Sequence, residues 1–305
     1  SPISLTACVA SPYLRVRDLV AQLVIARRTE ATRAESLRII NARFEQGTVP
    51  LLDVNQAEIQ LAVASAAIAA AERAVAQTEH SLSVLIGRNP GPITRGLSLK
   101  DQTIPPNIPA GLPSELLQRR PDVLASEASL AAQTARIGVA EELRWPSISL
   151  TGSLGFESDD LSTITDSGSD FWNFGGNIVQ PLFNSGRNRD RVNAEIARRE
   201  QSLLSYEQTV LRAFAEVEDA LVAVRTYRME HQARTMQVDA ARSAAMLSRA
   251  RYDGGVTSYL EVLDTERSLF NAELSESQTL RLYINSIVEL FKALGGGWVP
   301  EEEEP

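Results

Sequence analysis

The chain has 305 residues, a formal charge of −9 and one cysteine. The length fits one elongated domain or two ordinary ones, the acidic balance excludes the basic face of a general nucleic-acid binder, and a lone cysteine excludes an internal disulfide. No 18-residue apolar run predicts a transmembrane helix, and no basic n-region followed by an apolar h-region predicts a signal peptide.

In chain order, the first feature is Leu5-Thr6-Ala7-Cys8, which has the look of a lipoprotein cleavage box. Only seven residues precede Cys8, too few for the apolar run such a signal needs. Residues 14–46 and 51–86 then run without Gly or Pro and are predicted as long helices. Small residues recur closely in "LAVASAAIAAAERAVA" (61–76), which predicts tight helix–helix contact. Residues 88–113 hold Pro90, Pro92, Pro105, Pro106, Pro109 and Pro113 and read as an extended linker. A helix is expected over 114–143, with Pro121 in its first turn and Asp122 at its positive end. We read the cluster Arg119, Arg120, Pro121, Asp122 as capping.

Residues 146–156 and 171–183 then alternate with period two. In the first, Ile148, Leu150, Leu154 and Phe156 fall on one face and Ser147, Ser149, Thr151 and Ser153 on the other. In the second, Trp172, Phe174 and Ile178 stand against Asn173, Gly175 and Asn177. The intervening "ESDDLSTITDSGSD" is acidic and loop-like. Such a hairpin suits a β-barrel wall in lipid, with Trp145, Phe156, Phe171 and Trp172 as aromatic girdles. The same alternation suits an ordinary hairpin packed on helices. Residues 187–253 are 67 residues without Gly or Pro, about 100 Å of helix. Another helix is expected over 256–294, and 296–305 read as an acidic tail. Helices of this length predict a coiled-coil-like assembly. His80 and His231 lie in helical runs and read as solvated positions, so no His-based metal site, triad or other enzyme centre is expected.

The chain also repeats itself. At an offset of 208, Ala42, Arg43, Gly47, Leu52, Val54 and Glu58 match Ala250, Arg251, Gly255, Leu260, Val262 and Glu266. Leu82 matches Leu290, Gly87 matches Gly295, and Cys8 falls opposite Glu216 inside a helix. Residues 1–87 therefore read as the helical part of repeat one and 114–295 as repeat two. Nothing preceding residue 1 matches 114–208, so the expectation is a chain lacking the first half of repeat one.

"GLPSELLQRRPDVLASEASLAAQTARIGVAEELRWPSISLTGSLG" (111–155), "PLFNSGRNRDRVNAEIA" (181–197), "TVLRAFAEVEDAL" (209–221) and "RARYDGGVTSYLEVLDTERSLFNAEL" (249–274) resemble the outer-membrane factor family. This is the TolC-like group, and within it the NodT-type efflux lipoproteins. The resemblance implies a mainly α protein with a small β part. Three protomers form an α-helical barrel across the periplasm under a twelve-stranded barrel in the outer membrane. It implies a passive exit duct of a tripartite pump, with a periplasmic adaptor and an inner-membrane transporter as partners, and no cofactor. One strand pair per chain would give six strands rather than twelve, a departure from the family pattern. A soluble periplasmic coiled-coil scaffold is the rival reading, against which the apolar strand face argues.

By motif position the resemblance places Gly47 and Gly255 at adaptor-docking turns and Glu261 and Asp264 around the pore constriction. Tyr252 and Asp53 become a link holding the inner helix pair closed. The family sometimes carries an Arg where Thr257 stands. On the residue pattern alone, Glu261 and Asp264 are solvated positions on a helix face. As a threefold ring they would form a negative constriction that attracts cations and crowds like charges.

Overall fold

The computed structural model describes residues 2–102, 118–157, 159, 164 and 170–296. The chain runs α1 (Pro2–Glu45), α2 (Leu51–Leu85), α3 (Pro121–Glu142), β1 (Ser147–Phe156), β2 (Asp170–Val179), α4 (Arg187–Asp253) and α5 (Tyr259–Ala293). Residues 103–113 of the linker, 114–117 of the expected helix, most of the strand-connecting loop and 297–305 lie outside the described residues. The chain divides into two compact units: residues 1–120 with 213–305, and residues 121–212.

In the larger unit, helix packing follows from heptad spacing. On α4, positions 213, 217, 220, 224, 227, 231, 234, 238, 241, 245, 248 and 252 are buried or half-buried. Their steps alternate four and three, the 3.5-residue period of a left-handed coiled coil. Positions 54, 57, 61, 64, 68, 71, 75, 78 and 82 do the same on α2. Helix α5 carries two such seams side by side. Phe270, Glu273, Ser277 and Leu280 meet Arg33, Arg28, Asp18 and Leu14 of α1. Thr265, Leu290 and Ala293 meet Ser248, Val217 and Ala220 of α4. Helix α5 is therefore the centre of the unit, and α2, with one seam, leaves much of itself exposed. An 18-residue window in α2 reaches mean hydropathy 1.4 with 11% of it buried. This corrects the expectation that no helix is apolar enough to span a membrane. Alanines, which also permit close helix approach, supply much of that hydropathy.

Helix α1 starts at Pro2 and passes through Pro12. The proline removes one backbone donor without ending the helix, and Cys8 is an exposed helical residue. His231 corrects another expectation. It occupies a seam position of α4, half-buried, and its Nδ1 is buried without a hydrogen-bond partner among the described residues.

The repeat is physical. Helices α1, α2, α4 and α5 end in the same turn, with Gly47, Gly87, Gly255 and Gly295 at φ +74°, +74°, +72° and +84°. In each, the glycine N–H donates to the carbonyl three residues back and the next N–H to the carbonyl five back. This Schellman arrangement satisfies carbonyls at the helix end and requires a left-handed residue. Pro50 and Ser258 precede α2 and α5 with matching dihedrals, φ −76°, ψ 158° and φ −79°, ψ 157°. Both helices are 35 residues long, and every landmark repeats at the 208-residue offset. Helix α5 starts at 259 rather than the expected 256, because the Schellman turn and its extended cap consume 254–258.

At the start of α3, Pro121 and Asp122 cap as expected, the Asp122 carboxylate accepting the Val123 N–H at 3.0 Å. Arg120 does something else. Its buried guanidinium donates to the Ala293 carbonyl at 3.0 Å and pairs with Glu216 at 2.7 Å, closing the C-terminal end of α5.

In the smaller unit, β1 and β2 pair antiparallel from Ser147↔Val179 to Phe156↔Asp170. Directly paired residues share a face. One face therefore carries Ile148, Leu150, Leu154 and Phe156 with Ile178, Phe174 and Trp172, and the other carries Ser147, Ser149, Thr151 and Ser153 with Asn177 and Asn173.

Candidate functional site: the hairpin tips and the exposed strand pair

Two helix–turn–helix tips, α1–α2 and α4–α5, carry the predicted site. Gly47 and Gly255 have no heavy atom within 4 Å of where a Cβ would stand. The turns are open, so the glycines serve backbone conformation rather than close packing. Behind them lies one core of Ile40, Val54, Ala57, Tyr252, Tyr259, Val262 and Leu263. It joins both tips.

Glu261 and Asp264 lie in the first turns of α5. Glu261 accepts a hydrogen bond from the Thr257 hydroxyl and lies 3.6 Å from the Arg251 guanidinium. Asp264 pairs with Arg267 at 2.5 Å, both side chains exposed. Each expected pore carboxylate thus has an arginine of its own chain, where the sequence reading expects crowded negative charge. The i, i+3 spacing of Asp264 and Arg267 makes that pair readable. Arg251 reaches Glu261 only by crossing the turn, and Thr257 holds the carboxylate rather than leaving a vacancy for a missing arginine.

The expected hydrogen bond from Tyr252 to Asp53 does not form in this structure. Tyr252 Oη is buried without a hydrogen-bond partner among the described residues. The ring packs into the core 5.3 Å from the Tyr259 ring, and the Arg43 guanidinium sits 4.9 Å over its face. Asp53 sits half-buried in the first turn of α2, and burial pushes its carboxyl above the usual range. Arg43, which sequence reasoning missed, also meets Asp253 at 3.3 Å.

The strand pair is exposed on both faces. Leu154 is 85% exposed and Trp172 76%. Large side chains fit against glycines across the pair: Leu150 opposite Gly176, Phe174 opposite Gly152. Phe171 departs from the expected grouping. The register puts it on the small-polar face over Gly155, away from Trp172 and Phe156. Trp145 stands just before β1 at the open end of the hairpin, and Phe183, 97% exposed, just after β2. Phe183 went unnoticed because it falls outside the alternating register.

A helix with two packing seams, paired turn-tipped hairpins and a strand pair with one exposed face that is apolar apart from Asp170 are features of a repeat-built membrane protein. Residues 2–88 and 112–296 match the outer membrane efflux protein family. The chain belongs to that family, which places it in the outer membrane of a Gram-negative envelope. It is 37% identical over 297 residues to the toluene efflux pump outer membrane protein TtgI of Pseudomonas putida, covering 97% of this chain and 63% of that protein. It is 36% identical over 310 residues to the outer membrane protein OprJ of Pseudomonas aeruginosa, covering 97% and 62%. The chain thus spans less than two thirds of the length of these curated relatives. Among solved structures, the open-state Neisseria gonorrhoeae MtrE outer membrane channel superposes with a TM-score of 0.85 at 33% identity, covering 97% of this chain and 66% of that one. A Pseudomonas aeruginosa membrane protein does so at 0.85 and 35%, covering 97% and 67%.

Proposed function

We propose that this chain is the outer-membrane channel component of a tripartite efflux pump, a passive exit duct for drugs or toxic solutes. Three copies close into a tube that docks through a periplasmic adaptor onto an inner-membrane transporter. The carrying observation is the strand pair, one face of which is exposed and apolar apart from Asp170 at its end. Ten residues per strand at about 3.4 Å each, tilted by about 40°, match an apolar band about 25 Å tall. Trp145 and Phe183 at one end, with Phe156 and Trp172 at the other, suit the two interfacial girdles. The relatives' names, a toluene pump component among them, favour small apolar solutes as cargo.

In this reading Gly47 and Gly255 form the periplasmic tips where the adaptor docks, and Glu261 and Asp264 ring the constriction. A second apolar stripe on α4, Val222, Met229 and Met236, lies opposite its buried seam and is exposed. It suits contact with a neighbouring protomer. Because each ring carboxylate has an arginine beside it, the constriction alternates in charge. Exposed pairs of this kind hold each other by less than about 1 kcal/mol, so each remains available to passing ions. Single-channel recording on the trimer tests the ring. Glu261→Ala with Asp264→Ala leaves Arg251 and Arg267 unopposed, so cation selectivity and divalent-cation block weaken. Unchanged selectivity would refute the ring.

A further inference from the structure

Behind the repeat-two tip runs a line of alternating charge that repeat one lacks. Arg249 of α4 donates from Nη1 to the Ser36 hydroxyl of α1 at 2.9 Å. The same nitrogen lies 3.8 Å from the Glu266 carboxylate of α5. Through Nε, Arg249 lies 3.6 Å from Asp253. Asp253 in turn meets Arg43 of α1 at 3.3 Å, and Arg43 covers the Tyr252 ring. Glu266, Arg249, Asp253, Arg43 and Tyr252 therefore connect α5, α4 and α1 without a break. The 208-residue offset shows that this is no by-product of the hairpin fold. The counterpart of Arg249 is Asn41, that of Ser36 is Ala244, and Glu58, opposite Glu266, is exposed.

We propose that Arg249 is the positioning residue of this tip, clasping α1, α4 and α5 together through Ser36, Asp253 and Glu266. The planar guanidinium suits the task, because it presents several donors in a fixed fork where lysine offers one compact charge. Its role as a gate element rests on the channel reading above; the clasp itself does not.

Glu266 gives the clasp a signature that mere packing lacks. It faces Arg33 from α1, Arg249 from α4 and Tyr259 from its own helix. Burial holds its carboxyl above the ordinary 4.5, while Arg249 and Arg33 pull it back. Burial likewise pushes the Tyr259 phenol up to about 12, so it stays neutral. A folded-state pKa above the unfolded value means the packed tip holds a proton more readily than the open one. Packing is thus firmest in acid and weakens as pH rises from 4.5 through the folded value.

Amide hydrogen exchange across residues 250–262 tests this, expressed as protection factors from mildly acid to neutral pH. Arg249→Met should lower protection about tenfold there, with Arg249→Lys between it and the parent. Glu266→Gln should flatten the pH dependence, and Arg249→Met should steepen it by leaving Glu266 less opposed. Parental protection in Arg249→Met, or a parental pH slope in Glu266→Gln, overturns the proposal. If Arg249→Met fails to fold, the slope of Glu266→Gln decides alone. In bilayers, raised leak through Arg249→Met supports the gate role. A parent that never conducts overturns the channel reading and leaves the clasp to the exchange data.

Discussion

Gly255 and Gly295 share a turn and differ in surroundings. At Gly255 an added methyl meets nothing within 4 Å, so Gly255→Ala carries only the left-handed strain, about 1 kcal/mol. At Gly295 the same methyl would also stand 3.1 and 3.2 Å from the Arg119 backbone, next to Arg120, which is tied to Ala293 and Glu216. Gly295→Ala should therefore destabilise by clearly more than Gly255→Ala in urea unfolding; equal effects would show that the Arg119 backbone yields freely. Conformation was readable in the sequence from glycine following a long helix. The Arg119 contact was not, since it joins residues 176 positions apart in the chain.

The strand pair makes its own test. Leu150 and Ser149 are neighbours on opposite faces. A lysine on the lipid face of a membrane strand costs about 2–4 kcal/mol near mid-bilayer, whereas one on the wet face costs little. Leu150→Lys should abolish insertion into liposomes while Ser149→Lys inserts normally. Matching behaviour would mean the hairpin does not line a barrel. Alternation with period two was enough to place these faces, because register follows from it once the strands pair. Phe171 follows the same alternation, two residues before Asn173, so period two itself puts it over Gly155 and separates it from Trp172 and Phe156. The tips were half legible. Repeat matching paired Gly47 with Gly255, and the family resemblance put Glu261 and Asp264 forward as pore-lining positions. The repeat also paired Arg43 with Arg251, but neither it nor the resemblance gave Arg43, Arg249 or Arg251 a contact, because their partners lie across a turn or on another helix. In this structure the Tyr252 ring packs beside Tyr259 and makes no hydrogen bond to Asp53.

For the whole molecule, the channel and scaffold readings part over solvent. An assembled barrel buries its strand face in lipid, so the protein should need detergent to stay monodisperse; dispersion without detergent would favour the scaffold. The tandem repeat also constrains how this molecule can change over generations. Helices α2 and α5 have the same length, and each is fixed at both ends by the same cap. Losing one residue from α2 turns its seam by about 100° and shortens it by about 1.5 Å, leaving its tip out of step with its twin. Insertions and deletions should therefore survive descent only as matched pairs, 208 positions apart, so that each hairpin serves as the other's gauge.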